Sequence, residues 1–281
     1  MTRKEDVVAQ IECRADMYRA LGNLYLNTLD EAQIEELALT DYDALRADPD
    51  ERIASGFNDI YRALRRRNTG TRQLLAMDFT SCFLGTKTYK GLTGAPYESL
   101  YRDSSGTLMG PIRTEVFNAY KRERVALQAD LDLPEDHLSF EMEFLAILCD
   151  RCAKSVEIGD RDKALRVLDV QKSFLEEHLL VWFPRFHNLT TKLLETRFYR
   201  GVLNVTRGFL ESELESIEAL EQAVAEGFEA DSADGCSAEQ RGSSADDADT
   251  ASTAAQEGKA VCRDAASDDV ARQEACEAGA L

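Results

Sequence analysis

The sequence lacks most of the features that identify a membrane protein or a common type of enzyme. Among its 281 residues, no run approaches the ~20 apolar residues that a membrane-spanning helix needs. It has neither the GxxxxGK[ST] loop nor the GxGxxG turn that holds nucleotide phosphates, and it has no GxSxG nucleophile elbow. Only three histidines are present, and none has the HExxH or HxH spacing of a metal site. These absences argue against a nucleotide-binding protein, an α/β-hydrolase and a metalloprotease.

Positive charge is also in short supply. The chain has 33 Lys+Arg against 52 Asp+Glu, a formal net charge of −19. Such a surface repels phosphate backbones and attracts basic peptides, so we expect no nucleic-acid partner. The first residues mix charges of both signs instead of forming the apolar core of a secretory signal. The three arginines at 65–67 are not a twin-arginine export signal, because they are internal and a polar run follows them. We therefore expect a cytoplasmic protein without a membrane span.

The seven cysteines show no regular spacing. In a reducing compartment such cysteines are free thiols, often buried as small apolar side chains. Cys149 and Cys152 form one CxxC inside an apolar-periodic stretch that is typical of a helix. A redox CxxC normally opens a helix after a strand, and structural zinc needs two further ligands. The sequence therefore predicts neither a metal site nor a cofactor.

Composition divides the chain into a body, residues 1–227, and a tail, residues 228–281. The tail is rich in Ala, Asp, Ser and Gly and contains 13 Asp+Glu and 4 Lys+Arg. Because it has almost no large apolar side chains, we expect the tail to be disordered, a solubilising extension. The body keeps 39 acidic and 29 basic residues, a net charge of −10, so its acidity does not depend on the tail.

Apolar residues recur through the body at the three- and four-residue steps of buried helix faces. The first such face carries Val8, Ile11, Ala15 and Tyr18, and similar stretches follow at 53–64, 74–83, 114–127, 138–148 and 165–225. Gly85 is a candidate C-cap, Pro134 suits a first helical turn, and Pro184 is expected to interrupt the chain. No stretch has the alternation of a strand. The prediction is an all-α single bundle of roughly eight to eleven helices.

Two segments have compositions that need an explanation. Residues 95–103, APYESLYRD, place two tyrosines and a glutamate in a Gly/Ser-rich loop, where they must pack or bind something. Residues 133–144, LPEDHLSFEMEF, open a helix: Glu135 or Asp136 suits its positive end, and Glu141 lies one turn from His137, near enough to pair. From the residues alone, a well-capped helix start explains the second segment better than a binding site does.

These two segments, in this order, resemble the TorD/DmsD family of redox-enzyme maturation chaperones. As in that family, a phenylalanine-containing helix that ends in glycine precedes them, here DFTSCFLG at 78–85. FLEEHLLVWFPRF at 174–186 is similar to a third stretch of the family. The resemblance covers roughly residues 15–225 and leaves the tail outside, and Met142 stands where the family more often has leucine.

The resemblance implies a cytoplasmic chaperone for a molybdopterin oxidoreductase. It would bind the twin-arginine signal peptide and the apo form of the catalytic subunit, and hold this precursor for cofactor insertion before export or assembly. Such a peptide has a basic end and an apolar core, which an acidic rim around an apolar groove would match. Two subdomains would join near residues 130–137, with Pro134 at the hinge, in a monomer or a dimer. The residues implied to bind the signal peptide or client are Phe79, Phe83, Tyr97, Glu98, Ser99, Tyr101, Asp136, His137, Glu141 and Trp182.

Two other functions stay open at this point. A small helical metal-dependent hydrolase would use His137, Glu141 and Glu143 and would require a bound metal ion. A generic helical adaptor would bind partner helices through apolar grooves without specificity for a precursor. The chaperone hypothesis, in contrast, predicts a protein that is not an enzyme.

Overall fold

A computed structural model of the chain describes residues 3–102, 108, 110–127 and 133–228, and the backbone of residues 262–264. These residues are almost entirely helical, so the predicted all-α class is confirmed, and the number of α-helices lies within the predicted range. The helices are α1 (Lys4–Leu26), α2 (Glu31–Leu39), α3 (Tyr42–Leu45), α4 (Glu51–Arg65), α5 (Thr71–Phe83), α6 (Ser99–Arg102), α7 (Pro111–Arg122), α8 (Leu138–Glu157), α9 (Arg161–Phe174), α10 (Leu180–Thr190) and α11 (Arg197–Glu226). Within the described ranges, no helix combines the length and apolar character required to span a bilayer.

Local sequence signals set several of the helix ends. The Asp30 and Asp50 side chains accept hydrogen bonds from the first backbone N–H groups of α2 and α4. Gly85, with φ of +74°, follows α5 as predicted, and Gly159, with φ of +77°, follows α8. Asp160 then caps α9. Polar and glycine residues therefore set these boundaries, and Gly85 is the one among them that is named above as a candidate C-cap.

One hydrophobic core joins helices from both ends of the chain. Helix α1 packs along α8, and α4 packs along α11. The second contact is close because it contains glycines: a Cβ on Gly56 would lie 2.8 Å from the carbonyl oxygen of Gly201. Every residue of α8 from 138 to 149 is buried, so α8 is the central helix. Because elements before and after Pro134 share this core, the subdomain boundary stays a prediction.

Short strands occur at two places in the body, although no stretch of its sequence has the alternation of a strand. Strands β1 (Thr88–Tyr89) and β2 (Leu92–Thr93) form a small hairpin. Its two loop residues, Lys90 and Gly91, both have positive φ, +53° and +80°, as a two-residue hairpin turn requires. Strands this short contain too few residues to show alternation, so the sequence pattern could not reveal them.

The helix predicted to reach residue 127 ends earlier. Helix α7 stops at Arg122, Arg124 adopts a φ of +53°, and strand β3 (Val125–Leu127) follows. A left-handed residue ends a helix because it turns the next carbonyls away from the helix axis. Strand β3 pairs antiparallel with β4 (Cys262–Asp264). The predicted disorder of the tail otherwise concerns residues outside the described part of the chain.

Two prolines behave differently from the prediction. Pro134 is not in the first turn of α8 but in the turn before it, where its carbonyl accepts a hydrogen bond from the His137 N–H at 3.2 Å. Pro184 does not interrupt the chain, because it lies inside α10. A π-helical turn, Leu175–Leu179, precedes α10 and is closed by a bond from the Leu180 N–H to the Leu175 carbonyl. Pro184 has no N–H and therefore removes one α-helical hydrogen bond near the start of α10. The wider π-helical turn before α10 is the kind of turn that accommodates such local strain.

Candidate functional site

The two segments singled out in the sequence lie against each other. The Leu138 N–H donates to the Pro96 carbonyl at 2.9 Å, and the Glu98 N–H donates to the Asp136 carbonyl at 3.0 Å. Between these bonds, Tyr97 and His137 form an isolated antiparallel bridge, and their rings meet edge to face at 5.0 Å. The 95–102 loop is therefore fixed to the start of α8 by backbone pairing, which no periodicity in either segment predicts.

Asp136 and His137 cap helices with their side chains. The Asp136 Oδ2 atom accepts from the Ser99 N–H at 2.9 Å, at the start of α6. The His137 Nδ1 atom accepts from the Ser139 N–H at 3.2 Å, at the start of α8. Burial lowers the pKa of His137 to about 3, so the ring is neutral and can accept this bond at neutral pH. The capping interpretation of the second segment is thus right for His137, whereas Asp136 caps the other segment.

Glu98 connects the loop to the C-terminal helices. Its carboxylate is fully buried and lies 2.6 Å from the Arg102 guanidinium and 2.9 Å from the Nδ1 atom of His178. The His178 ring stacks on Phe174 with centroids 4.5 Å apart. A buried carboxylate needs such partners because leaving it unpaired would be strongly destabilising. Glu98 is therefore a bridge between α6 and the π-helical turn.

Glu141 completes a buried group of three acidic side chains, Glu98, Asp136 and Glu141, which we name the carboxylate cluster. The Trp182 indole N–H donates to Glu141 Oε2 at 3.0 Å. Burial raises the pKa of Glu141 well above its usual value, and the nearby carboxylates of Glu98 and Asp136 raise it further. Burial also raises the pKa of Asp136. The predicted pairing of Glu141 with His137 is not formed; Glu141 bonds to Trp182 instead.

The carboxylate cluster has more polar atoms than its protein partners satisfy. Ser99 Oγ, Asp136 Oδ1 and Glu141 Oε1 are buried and have no hydrogen-bond partner among the described residues. A polar cavity of about 490 Å³ lies next to the cluster, lined by Arg102, Glu115, Asn118, Arg122, Glu177 and His178. Its lining carries charges of both signs, so charge alone does not select an anion or a cation.

Aromatic side chains hold the other side of the loop. The Tyr101 ring stacks on Trp182 at 5.6 Å with an interplanar angle of 20°. Phe79 and Phe83 contact each other edge to face at 5.3 Å, and both contact Tyr199 of α11. Burial of these rings contributes to stability through apolar area and ring geometry. Phe79 and Phe83 therefore belong to the core that supports the site.

Most of the ten residues predicted to bind the peptide or client are inaccessible in this conformation. Tyr97 and Tyr101 are partly exposed, and the other eight are buried. Part of the accessible apolar surface lies on the outer face of α5, on the side away from Phe79 and Phe83. Leu74 and Met77 are 55% and 62% exposed there, and Leu84, just after the helix, is 63% exposed. The three residues lie on one side because their spacings of three and seven follow the helical repeat. We name Leu74, Met77 and Leu84 the α5 stripe.

Sequence reasoning missed Arg102 and His178 as parts of the site. Arg102 follows Glu98 by four residues, the spacing of an ion pair on a helix, and this signal could have identified it. His178 has no spacing in the sequence that sets it apart from an ordinary buried histidine. Its contact with Glu98 crosses 80 residues of sequence, so spacing gives no signal for it.

The residues proposed for a hydrolase do not converge on one point. His137 caps α8, Glu141 bonds to Trp182, and the Glu143 carboxylate lies 3.6 Å from Arg19 of α1. In the part of the chain that is described, no three His, Cys, Asp or Glu side chains are placed to hold a metal ion. The CxxC cysteines are buried in α8, and burial raises the pKa of Cys149 to about 12, which disfavours a thiolate. This geometry does not favour a metal-dependent hydrolase.

Comparison with known proteins finds a family model and several relatives that share one name. A family model described as nitrate reductase delta subunit matches residues 21–188. A chaperone protein TorD from Aliivibrio fischeri is 26% identical over 210 residues, which cover 73% of this chain and 94% of that protein. Chaperone protein TorD from Vibrio cholerae is 26% identical over 215 residues, covering 75% and 94%. The protein of the same name from Vibrio parahaemolyticus is 27% identical over 209 residues, covering 73% and 94%.

Proposed function

We propose how this protein engages its client, given that the chain belongs to the nitrate reductase delta subunit family and is a chaperone of molybdoenzyme maturation. It binds the twin-arginine signal peptide and the apo form of a molybdopterin oxidoreductase catalytic subunit in the cytoplasm. It holds this precursor until the molybdenum cofactor has been inserted, and it carries out no catalytic reaction itself. The observation that carries the proposal is the meeting of residues 95–102 with residues 133–138 in one hydrogen-bonded site.

The carboxylate cluster acts on the client indirectly. Because Glu98, Asp136 and Glu141 are buried, they set the conformation of the 95–102 loop instead of touching the peptide. Glu98 holds α6 to His178, and Asp136 caps the same short helix. Tyr97 and Tyr101, which are partly exposed, are the residues of this loop that present surface to a client.

The α5 stripe supplies apolar surface for the peptide's core. Leu74, Met77 and Leu84 are more than half exposed on the helix whose inner face carries Phe79 and Phe83. Exposed apolar side chains that line up on one face are typical of protein-interaction surfaces. The body, with a net charge of −10, attracts the basic end of a twin-arginine peptide. Apolar stripe and acidic surroundings together fit a peptide with a basic end and an apolar core.

Binding of a synthetic twin-arginine leader from a molybdopterin oxidoreductase of the same genome tests the proposal. We expect association that isothermal titration detects and that weakens as salt is raised, because screening removes the charge attraction. Met77→Asp should weaken binding by about tenfold, since burying an apolar side chain of this size stabilises by roughly 1.5 kcal/mol. Absence of binding by every such leader of that genome would refute the proposal.

A matched variant separates loss of the binding surface from general loss of apolar surface. Ile158 is 66% exposed and lies at the turn between α8 and α9, so Ile158→Asp removes a similar apolar side chain elsewhere. This variant should bind the leader as the unaltered protein does. Equal weakening by Ile158→Asp and Met77→Asp would mean that the α5 stripe has no specific role.

A further inference from the structure

The polar cavity beside the carboxylate cluster is open to the surface and is lined by side chains with unused hydrogen-bonding capacity. Its volume of about 490 Å³ is in the range of pockets that hold ligands. Glu115, Asn118 and Glu177 are exposed at its edge, so a side chain of a bound peptide can enter it. Within the described residues, the side chains of Asn118 and Glu177 have neither a hydrogen bond nor an ion pair. Their polar atoms are therefore available to a ligand.

His178 adds a buried side chain to the lining. It is 5% exposed, and its Nδ1 atom lies 2.9 Å from the Glu98 carboxylate. Because an ionised carboxylate can only accept, Nδ1 carries the proton of this bond. The other ring nitrogen, Nε2, has no hydrogen-bond partner in the described part of the chain, and in the neutral ring it is an acceptor. The fold therefore leaves one buried acceptor of the cavity unused.

The buried charge of Glu98, behind the lining, changes the balance of charge at the cavity. Glu98 lies 2.6 Å from the Arg102 guanidinium and cancels its positive charge. Glu115 and Glu177 then leave two negative charges in the lining against one positive charge, that of Arg122. Arg122 is exposed, so water and salt screen its charge. A group that enters the cavity therefore meets a net negative charge.

A guanidinium group fits this lining better than an anion or an ammonium group does. It is a planar cation with five N–H donors and no acceptor. The acceptors that line the cavity are the carboxylates of Glu115 and Glu177, the side-chain oxygen of Asn118 and the Nε2 atom of His178. A carboxylate can pair with a guanidinium through two parallel hydrogen bonds, whereas an ammonium group acts as a point charge. The cavity therefore has the chemistry of an arginine-binding site.

The course of the chain places this cavity within reach of the α5 stripe. Gly94 lies against α5, since a Cβ on Gly94 would be 2.7 Å from the Sγ atom of Cys82, two residues before Leu84. Arg102, which lines the cavity, follows Gly94 by eight residues, and these span at most about 29 Å. An extended peptide of about nine residues covers such a distance. A leader can therefore place its apolar core on the stripe and its basic end in the cavity.

We propose that the cavity binds an arginine side chain of the client's twin-arginine leader, with Glu177 as its principal carboxylate partner. This inference rests on the proposed function for the identity of the client. Glu98 has a positioning role, because it neutralises Arg102 and holds His178 in the cavity wall. Binding here joins the leader to the 95–102 loop, since Arg102 is the last residue of α6.

The test compares Glu177→Gln with Glu176→Gln in the full chain. Glu176 and Glu177 are neighbours in the π-helical turn and both are exposed, but Glu176 is not part of the cavity lining. The two variants therefore lose the same charge at different places. Fluorescence anisotropy measures the affinity for a twin-arginine leader and for the same leader with both arginines replaced by glutamine. Circular dichroism checks that each variant keeps its helix content.

We expect Glu177→Gln to weaken binding of the twin-arginine leader roughly two- to fivefold, the range of an ion pair that water still reaches. Glu176→Gln should leave this affinity within about 1.5-fold, because a charge outside the cavity is screened. The glutamine leader should bind Glu177→Gln and the unaltered protein equally, since it has no guanidinium to pair. Arg122→Gln should tighten binding of the twin-arginine leader by about twofold. Lys121→Gln, which removes a neighbouring charge outside the lining, is its control.

Three results would overturn the inference. Equal affinities of Glu177→Gln and the unaltered protein would show that Glu177 does not contact the leader, and equal weakening by both glutamate variants would reduce its effect to general charge. Weaker binding by Arg122→Gln would show that the cavity takes an anionic group instead. In each case, leader binding by the unaltered protein leaves the proposed function standing. If the unaltered protein binds no leader, the proposed function fails and this inference with it.

Discussion

Replacing Glu141 by glutamine should change how stability depends on pH. Glu141 is fully buried, accepts a hydrogen bond from Trp182, and has a pKa raised well above its usual value by burial and by neighbouring carboxylates. The folded protein therefore keeps a proton on Glu141 at pH values where the unfolded chain has lost it. When the native state binds more protons, stability falls as pH rises. Glutamine cannot lose a proton, so Glu141→Gln removes this contribution.

The size of the effect follows from the proton count. An unfolded glutamate titrates near pH 4.3, and one proton of difference changes stability by about 1.4 kcal/mol per pH unit. The stabilising effect of the raised pKa is complete below that pH and is lost as pH rises toward the folded value. At pH 5 the free energy of unfolding of the variant should therefore lie within about 1 kcal/mol of that of the unaltered protein, because glutamine can still accept from Trp182. At pH 7 the variant should be more stable than the unaltered protein, and this advantage should grow above pH 5 by at most about 1.4 kcal/mol per pH unit.

Urea unfolding followed by tryptophan fluorescence measures this directly. Trp182 is the only tryptophan of the chain and bonds to Glu141 itself. Glu157→Gln is the matched control, because Glu157 ends the same helix and its side chain is exposed. Free energies of unfolding at pH 5, 6, 7 and 8 should diverge between Glu141→Gln and the unaltered protein, and stay parallel for the control. Parallel curves for Glu141→Gln would mean that Glu141 ionises normally in the fold.

Three further predictions concern the interior. Glu213→Ala leaves the buried Arg14 guanidinium without its carboxylate partner at 2.7 Å and should destabilise by about 3–5 kcal/mol in urea unfolding. Gly56→Ala places a Cβ 2.8 Å from backbone atoms of α11 and should lower the free energy of unfolding by roughly 1–3 kcal/mol. A thermal melt should show this as a lower melting temperature. Mass spectrometry after iodoacetamide treatment at pH 8 should find exposed Cys13 alkylated and buried Cys149 protected; early alkylation of Cys149 would contradict its burial.

The sequence predicts the helical class and many helix ends because those signals are local. Apolar steps of three and four residues mark α1, and Gly85 and Asp160 lie where a helix ends and another begins. Composition singles out residues 95–103 and 133–144, and the resemblance implies that residues of both segments bind the client. Their contact is a finding of the structure, since the bonds from Leu138 to Pro96 and from Glu98 to Asp136 join positions about 40 residues apart.

Other features depend on contacts that no local pattern contains. The side chains of Phe79, Trp182 and Glu141 are those that the resemblance implies for client binding, yet all three are buried. A motif identifies residues that a family needs, and it does not distinguish a residue that touches a partner from one that shapes the surface. The pairing of β3 with residues 262–264 escaped prediction for a related reason: three-residue strands have no period, and their partners lie 135 or more positions apart.

The π-helical turn at Leu175–Leu179 sets the rotational phase between α9 and α10. A π-helical turn holds one residue more than an α-helical turn, so it rotates all that follows by about 100° relative to a continuous α-helix. His178 reaches Glu98 and Trp182 reaches Glu141 across this phase change. Deleting a single residue from the turn would restore a continuous α-helix while leaving the composition almost unchanged. It would turn one of these side chains away from the carboxylate cluster, so chain length at this point is as much a part of the site as the identity of its residues.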